Sequence, residues 1–478
     1  MNVPIVVFIL GRVMQVEGVF MMLPAFVGLL YRETAGFSFL LIGVAEFVFG
    51  LLISLKKPEN KSFFAREGFL TVSLSWIILA VIGALPYVLN GDIPNYLDAV
   101  FETVSGFTTT GASILDSVEA LNQCSKFWRC FSNWIGGMGV LVFVVSILPL
   151  AGAQNIYIMK AEAPGPTVGK LVPKVKSTAA NLYKIYCGMT MVEIILLLLG
   201  GLDGFSAITM SFATAGTGGF GVLNSSCLEY SPYVQVIITI FMILFGVNFS
   251  VYYLMLTGRF RQALGCEEMR WFFAIIAIAI IAITLNVWNT FGGIGEAIRH
   301  VSFTVGAIIT STGFSTVNYD MWPQFSKCIL LLLMFVGSCA GSTGGGIKVS
   351  RVVIYAKSVK KMIEQYIHPR SIKIVKFEGK QVEHEVVRGI NMFLITYIFL
   401  FAVSLLVVSL DDFGFTTNFS AVTASINNIG PGLELIGPDG NYALFSPLSK
   451  LVLAFNMLAG RLEIFPLVLL FAPATYKR

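Results

Sequence analysis

Four glycine-centred polar segments recur along the chain at intervals of roughly one hundred residues: TTTGAS at Thr108–Ser113, GTGGFG at Gly216–Gly221, TSTGFS at Thr310–Ser315 and NNIGPG at Asn427–Gly432. Each sits among long apolar runs and follows a half-apolar stretch shorter than the about 20 residues that cross a bilayer. Irregular polar backbone at membrane depth is tolerated only where it lines a wet cavity. Four such breaks therefore favour one shared cavity, each break forming a quarter of a single pore. The alternative is four loops lying on the outer surface. It fits less well with segments rich in Thr, Ser and Gly and lacking Lys or Arg.

The rest of the chain is suited to a membrane. Of 478 residues, 56% are hydrophobic and 12% charged, against about 25% charged in an ordinary soluble domain. Apolar spans fall near 4–30, 35–55, 67–90, 127–151, 178–201, 231–257, 271–290, 323–350, 389–410 and 447–472. Arg12, Gln15 and Glu17 interrupt the first run and no basic residue precedes it, so it reads as a retained helix rather than a cleaved leader. Arg12 and Glu17 are expected to pair within it.

Assigning the gaps alternately to two sides sorts the charge. One side takes Lys56, Lys57, Lys61, Arg66, Lys160, Lys170, Lys174, Lys176, Lys184, Arg259, Arg261, Arg270, the basic run from Arg351 to Arg388, and Lys477–Arg478. The other keeps Arg32, Lys126, Arg129, Arg299, Lys327 and Lys450. By the positive-inside rule the first side is cytoplasmic. Both termini lie there, and the glycine segments fall on the outer half. Seven scattered cysteines without a CxxC pair, and three histidines, argue against a disulfide framework or a structural zinc.

The fold class expected is an all-α polytopic membrane protein, with two leading helices and then four helix–pore loop–helix repeats around one pseudo-four-fold pore. Short re-entrant helices are placed at about 94–108, 204–216, 296–310 and 415–427, where AVFETVSGFTTTG, AITMSFATAGTGG, AIRHVSFTVGAIITSTG and AVTASINNIG form a weak internal repeat. The units are 1–60 for the two leading helices, 61–152 for repeat 1, 178–258 for repeat 2 and 270–360 for repeat 3 with an intramembrane loop. A cytoplasmic connector at 361–388 and repeat 4 at 389–478 complete the chain. The connector reads as a β-hairpin, from Ile372, Ile374 and Val375–Phe377, a Glu378–Gly379 turn, then Val382 and Val386. It is either a solvated link or a docking surface for a partner or anionic lipid.

A dehydrated monovalent cation needs a cage of oxygens, and backbone carbonyls supply dipoles without fixed charge. Glycine admits the backbone angles that turn carbonyls inward, and neighbouring Thr and Ser add hydroxyls. Helix C-termini aimed at the site contribute about half a negative charge each. Basic residues, absent from these segments, would suit an anion instead. Asp92, Asp98, Glu102, Asp116, Glu119, Glu229, Asp320 and Glu434 are expected near the outer rim. They would either concentrate cations or serve as solvated loop residues.

Two of the basic residues inside spans bear on the pore. Arg461, in FNMLAGRLEIFPL, costs about 2.5–3.5 kcal/mol at membrane depth and needs a cavity or a partner. It either pairs with Glu463 or Glu193, or stands as a positive barrier below the pore. Lys348 closes the Gly/Ser run VGSCAGSTGGGIK (Val336–Lys348), which cannot pack as an ordinary helix. That run is either a mobile loop with Lys348 as a tethered blocking cation, or a close-packed kink. WIGGMG (Trp134–Gly139) reads as small residues for helix contact.

Together FTTTGAS, WIGGMG, TGGFG, TSTGF, CAGSTGGGIKV, NNIGPGL and MLAGRLEIFPL resemble the Trk-type potassium uptake proteins TrkH and TrkG, in a superfamily with the Ktr and fungal Trk transporters. The likeness covers nearly the whole chain, and NNIGPGL with the leading helices favours the Trk branch. It implies potassium uptake across a bacterial inner membrane, with K+ as the transported ion and no organic cofactor in this chain. It also implies a homodimer with one pore per subunit. The central glycines would be Gly111, Gly219, Gly313 and Gly430. Carbonyls would come from Thr109 and Thr110, Thr217 and Gly218, Ser311 and Thr312, and Asn428 and Ile429. The gating loop would be Gly341, Ser342, Thr343, Gly344, Gly345 and Gly346, followed by Lys348, with Arg461 as the pore arginine. A cytoplasmic TrkA-type NAD- or nucleotide-binding subunit would control opening, since no Rossmann-like strand–GxGxxG–helix unit occurs here. Membrane lipid, and no nucleic acid, completes the partners. Ser113 stands where Thr is frequent, and the four filters differ among themselves, so sodium permeation stays open. Channel and proton- or sodium-coupled symporter also both remain open. An inverted-repeat transporter of a small solute would place its breaks at the midplane, and a membrane enzyme would need convergent His, Cys or paired acids.

Overall fold

The computed structural model describes residues 1–59, 63–147, 175–370 and 373–475. Lys61, Lys160, Lys170, Lys174, Ile372 and Lys477–Arg478, together with the ends of spans assigned to 148–174, lie outside the described residues. Among the described residues, six helices are long and apolar enough to cross a bilayer, and a bent pair makes a seventh. The architecture is the expected all-α one: leading helices, then four repeats around a shared axis.

The leading helices, Val3–Phe20 continuing through Met22–Tyr31, and Ala35–Ser54, meet along small residues. A Cβ on Gly11 would come within 2.8 Å of the Gly50 carbonyl, and one on Gly28 within 2.6 Å of the Gly36 Cα. Such close approach substitutes for hydrophobic driving force in lipid. Arg12 does not pair with Glu17. Five residues apart on a helix they point about 140° away from one another. Arg12 donates to Gln15 at 2.9 Å, while Glu17 is buried against Glu46 of the neighbouring helix. Paired acids at membrane depth therefore exist in the leading helices.

The four short helices lie at Tyr96–Phe107, Gly204–Gly216, Ile294–Ile309 and Phe415–Ile426. Asn95 and Asp203 cap the first two, accepting from Leu97 and Ser206 backbone N–H groups. All four are almost wholly buried over their last two turns.

The helices that follow each filter do not match one another. The first runs unbroken over Gln123–Ile147. The second, expected as one span over 231–257, is two pieces, Pro232–Phe245 and Phe249–Leu256, bent by 92°. Gly246 ends the first piece, and the Asn248 side chain caps the second by accepting from the Ser250 N–H. Hydropathy averages composition and cannot see that change of direction. The third breaks between Gln324–Val336 and Val349–Ile367, and the fourth between Pro447–Arg461 and Phe465–Leu469.

The connector hairpin is smaller than its apolar pattern suggests. Its strands are Lys376–Phe377 (β1) and Lys380–Gln381 (β2), paired antiparallel. Val386 belongs to the helix His384–Val408 instead.

Candidate filter and intramembrane loop

Each short helix ends in the same motif. The residue two before the central glycine takes a left-handed conformation: Thr109 (φ 56), Thr217 (φ 53), Ser311 (φ 59) and Asn428 (φ 55). Its N–H bonds three residues back, and the next N–H bonds five back. The latter bonds run from Thr110 to Ser105, Gly218 to Ala213, Thr312 to Ala307 and Ile429 to Ala424, at 2.8–2.9 Å. This is the Schellman closure of a helix C-terminus. It leaves the negative ends of four helix dipoles facing one place.

The central glycines then close a ring. A Cβ on Gly111 would strike the Gly218 carbonyl oxygen, one on Gly219 that of Thr312, one on Gly313 that of Ile429, and one on Gly430 that of Thr110. Each filter thus presses on the carbonyl of the next, and the fourth returns to the first. All four glycines have positive φ, from 72° to 93°, so each is required both for its conformation and for the space it leaves. The structure brings all twelve sequence-named filter residues to this ring.

Side-chain oxygens reinforce it unequally. Thr108 and Thr110 share a hydroxyl hydrogen bond at 2.8 Å, as do Thr310 and Thr312. The second and fourth filters lack that pair. Asn428 fills its place, donating to Thr110 Oγ1 at 3.0 Å and to the Met457 carbonyl at 2.8 Å. Tyr442 donates to the Gly430 carbonyl at 2.7 Å and Tyr319 to that of Gly432 at 3.2 Å.

Glu102 was expected on the rim and is instead 1% exposed. It accepts from Ser113 Oγ and the Ile114 N–H, both at 3.0 Å, and pairs with Arg129 at 2.8 Å. Arg129 also reaches the Gly221 carbonyl at 3.2 Å and lies over the Phe220 ring. This ion pair ties the first filter to the second. Its sequence signal was two opposite charges on neighbouring apolar helices. Asp98 and Asp320, also rim candidates, pair with Lys450 and Lys327.

Beneath the ring lies the loop 337–348, bounded by left-handed Gly337 and Lys348. The Gly345 N–H donates to Ser311 Oγ at 2.6 Å. The Cys339 N–H donates to the Gly246 carbonyl at 3.1 Å, and the Phe249 N–H to that of Gly341 at 3.1 Å. The bend in the second repeat is therefore where the loop is seated. Lys348 folds back to the Gly344 carbonyl of its own loop. Arg461 pairs with neither Glu463 nor Glu193 in the hydrogen bonds and ion pairs described. It donates to the Thr343 carbonyl at 2.6 Å and the Gly136 carbonyl at 2.5 Å. Glu463 is taken by Arg351 at 2.7 Å. Arg461 thus joins the fourth repeat to the third and the first. WIGGMG is a close contact as expected: a Cβ on Gly136 would strike the Phe107 carbonyl.

Among the described residues no group of three His, Cys, Asp or Glu side chains is placed to hold a metal. The oxygens on offer are carbonyls and hydroxyls.

The family described as TrkH, cation transport protein, matches residues 35–476. The chain belongs to the TrkH family. Among relatives, the Trk system potassium uptake protein TrkH of Escherichia coli K12 is 35% identical over 468 residues, 96% of each chain. The Trk system potassium uptake protein TrkG of the same organism is 31% identical, covering 98% of each chain. The crystal structure of the potassium transporter TrkH from Vibrio parahaemolyticus aligns with a TM-score of 0.89 at 30% identity, covering all of both chains. The TrkH family likeness is thus continuous through the filters, the loop and the leading helices.

Proposed function

We propose that this chain takes up potassium through a gated, cation-selective pore in a bacterial inner membrane. The observation that carries this reading is the closed ring of four filter glycines, each against the next filter's carbonyl. A ring of inward carbonyls with helix C-termini behind it replaces the hydration shell of a monovalent cation. The potassium names of its relatives specify the ion. The ion-facing groups are Thr109, Thr110, Gly111, Thr217, Gly218, Gly219, Ser311, Thr312, Gly313, Asn428, Ile429 and Gly430. All four helix C-termini converge on one ring, which an inverted-repeat transporter would not produce.

The gate is the loop from Gly341 to Gly346 with Lys348, held across the axis by Arg461. A guanidinium fixed by carbonyls from two other quarters puts a positive charge beneath the filter, where it opposes cation passage. Opening requires releasing it. Both termini and the hairpin face the cytoplasm, where a TrkA-type nucleotide-binding subunit docks, and two copies form the working dimer.

Purified protein in proteoliposomes tests this. Potassium and rubidium should pass and sodium should lag, with flux reversing at the potassium equilibrium potential whatever the pH. Equal passage of sodium would sink the selectivity claim, and a reversal that follows pH would replace the channel by a proton symporter.

A further inference from the structure

The intramembrane loop is pinned at both ends by one side chain that the filter and gate described above do not use. Glu268 is 3% exposed, in the first turn of the helix Glu267–Val287. Its Oε1 accepts from the Ala340 N–H at 2.7 Å and from the Ser350 N–H at 3.1 Å. Ala340 lies inside the loop and Ser350 begins the helix beyond it, so one oxygen staples the loop shut.

The same helix start is held from the cytoplasm. Glu378, in the hairpin turn, accepts the Glu268 backbone N–H at 3.0 Å and the Cys266 thiol at 3.2 Å. The Glu378 N–H donates to Glu267 at 3.2 Å. Lys357 links Glu267 to the Lys376 carbonyl of β1. A carboxylate at a helix N-terminus is favoured both by the free N–H groups and by the dipole.

The turn is a two-residue one with positive φ at both Glu378 (51°) and Gly379 (71°). That geometry favours Asn, Asp or Gly at the first position, so the glutamate is kept there under strain by its bonds to the helix. The two contacts thus meet at one residue: the hairpin holds the Glu268 backbone, and the Glu268 side chain holds the loop.

We propose that Glu268 is a positioning residue for the intramembrane loop, and that the Glu378–Gly379 turn is the handle through which the cytoplasmic face moves it. This rests on the loop being the gate. It goes further in naming the mechanical link and in requiring only the chain itself.

Cys339 supplies a local reporter, being a buried thiol within the loop. In the full-length protein, thiol labelling read by peptide mass spectrometry should rise at least about tenfold at Cys339 in Glu268→Ala, which strips two charge-assisted bonds. Buried Cys124, Cys130 and Cys227 should stay protected, which separates loop release from general unfolding. Glu268→Gln keeps an acceptor oxygen and should restore protection. Glu378→Ala, which lies on a partly exposed turn and touches no loop atom, should also raise labelling at Cys339. Wild-type protection of Cys339 in Glu378→Ala would overturn the proposal. So would equal release in Glu268→Gln and Glu268→Ala. A second arm uses Glu378→Cys, oxidised onto native Cys266 with copper–phenanthroline. Locking the turn should hold Cys339 protected and hold potassium flux at its resting value until a reductant is added, with Glu378→Cys/Cys266→Ser insensitive. Flux unaffected by the lock while labelling responds would leave the mechanical link standing and sink the gate reading instead.

Discussion

The outer and inner halves of the pore are built on opposite plans. In the outer half the four repeats do the same thing: the same left-handed residue, the same helix closure and the same glycine seated against the next carbonyl. In the inner half no two repeats agree. One helix is unbroken, one is bent by 92°, one opens into the loop 337–348, and one breaks after Arg461 at left-handed Glu463 and Ile464. Under the proposed function the difference follows from the tasks. A cage for a spherical ion gains from each wall being alike, since oxygens must surround it evenly. A closure needs one element able to move and others to hold it, and four equal walls offer no such division. Strain is distributed accordingly: it recurs four times around the ring, but below it sits at single positions, including the β-branched Ile464 (φ 67).

The largest effect should come from breaking the ring. Gly219→Ala drives a Cβ into the Thr312 carbonyl and places alanine at φ 72. Potassium-over-sodium selectivity, from paired flux assays, should fall at least about tenfold, some 1.4 kcal/mol. Gly111→Ala and Gly313→Ala should do the same, since the ring treats these positions alike. An inner-half glycine substitution that cost as much selectivity would erase the distinction between the halves.

Arg461→Ala is the inner counterpart. Removing a guanidinium that bonds two carbonyls should raise resting cation flux about five- to tenfold while leaving selectivity unchanged. Arg461→Lys should fall between, because an ammonium lacks the planar fork that reaches both oxygens at once. A loss of selectivity in step with the flux would show that the arginine supports the filter rather than the closure.

The outer half was largely legible in the sequence and the inner half only in outline. Filters and short helices are specified locally: a glycine forced to positive φ, a capping Asn95 or Asp203, and a length too short to span. Their spacing repeats, so each supports the others. The loop and Arg461 also stood out, as a glycine run and a charge where neither belongs. What connects them did not. The bend at Gly246–Asn248 lies in a stretch whose average hydropathy is that of a single span, with only Gly246 and Asn248 as local marks. Glu268 looks like any acid in a first helical turn until the fold brings Ala340 and Ser350 to it. Glu102 read as a rim acid because its partner Arg129 is distant in sequence. Long-range pairing of polar groups carries no local signature.

Thr110→Val and Thr312→Val probe how far the ring's symmetry extends. Each removes one partner of a hydroxyl pair, costing about 1 kcal/mol. Selectivity should drop by a few-fold in both. Thr110→Val should be the worse, because it also strands the Asn428 amide.

The smallest effects should come from relieving the left-handed positions. Thr109→Gly and Thr217→Gly each remove a strain of about 1 kcal/mol. Each also gives the unfolded chain back a similar entropy. Thermal midpoints should therefore move little at these two sites and by the same amount, whereas Ser311→Gly also deletes the hydroxyl that accepts the Gly345 N–H and should cost about 1–3 kcal/mol. Asn428→Gly should not join them. Asparagine already tolerates this conformation, so little strain is released. Its amide bonds to Thr110 and Met457 are lost, destabilising the fold by about 1–2 kcal/mol. A common shift at all four would mean that the ring is four-fold in energy as well as in backbone shape. A distinct loss at Asn428 would show that the symmetry ends at the backbone, with side chains already setting the fourth wall apart before the asymmetric half begins.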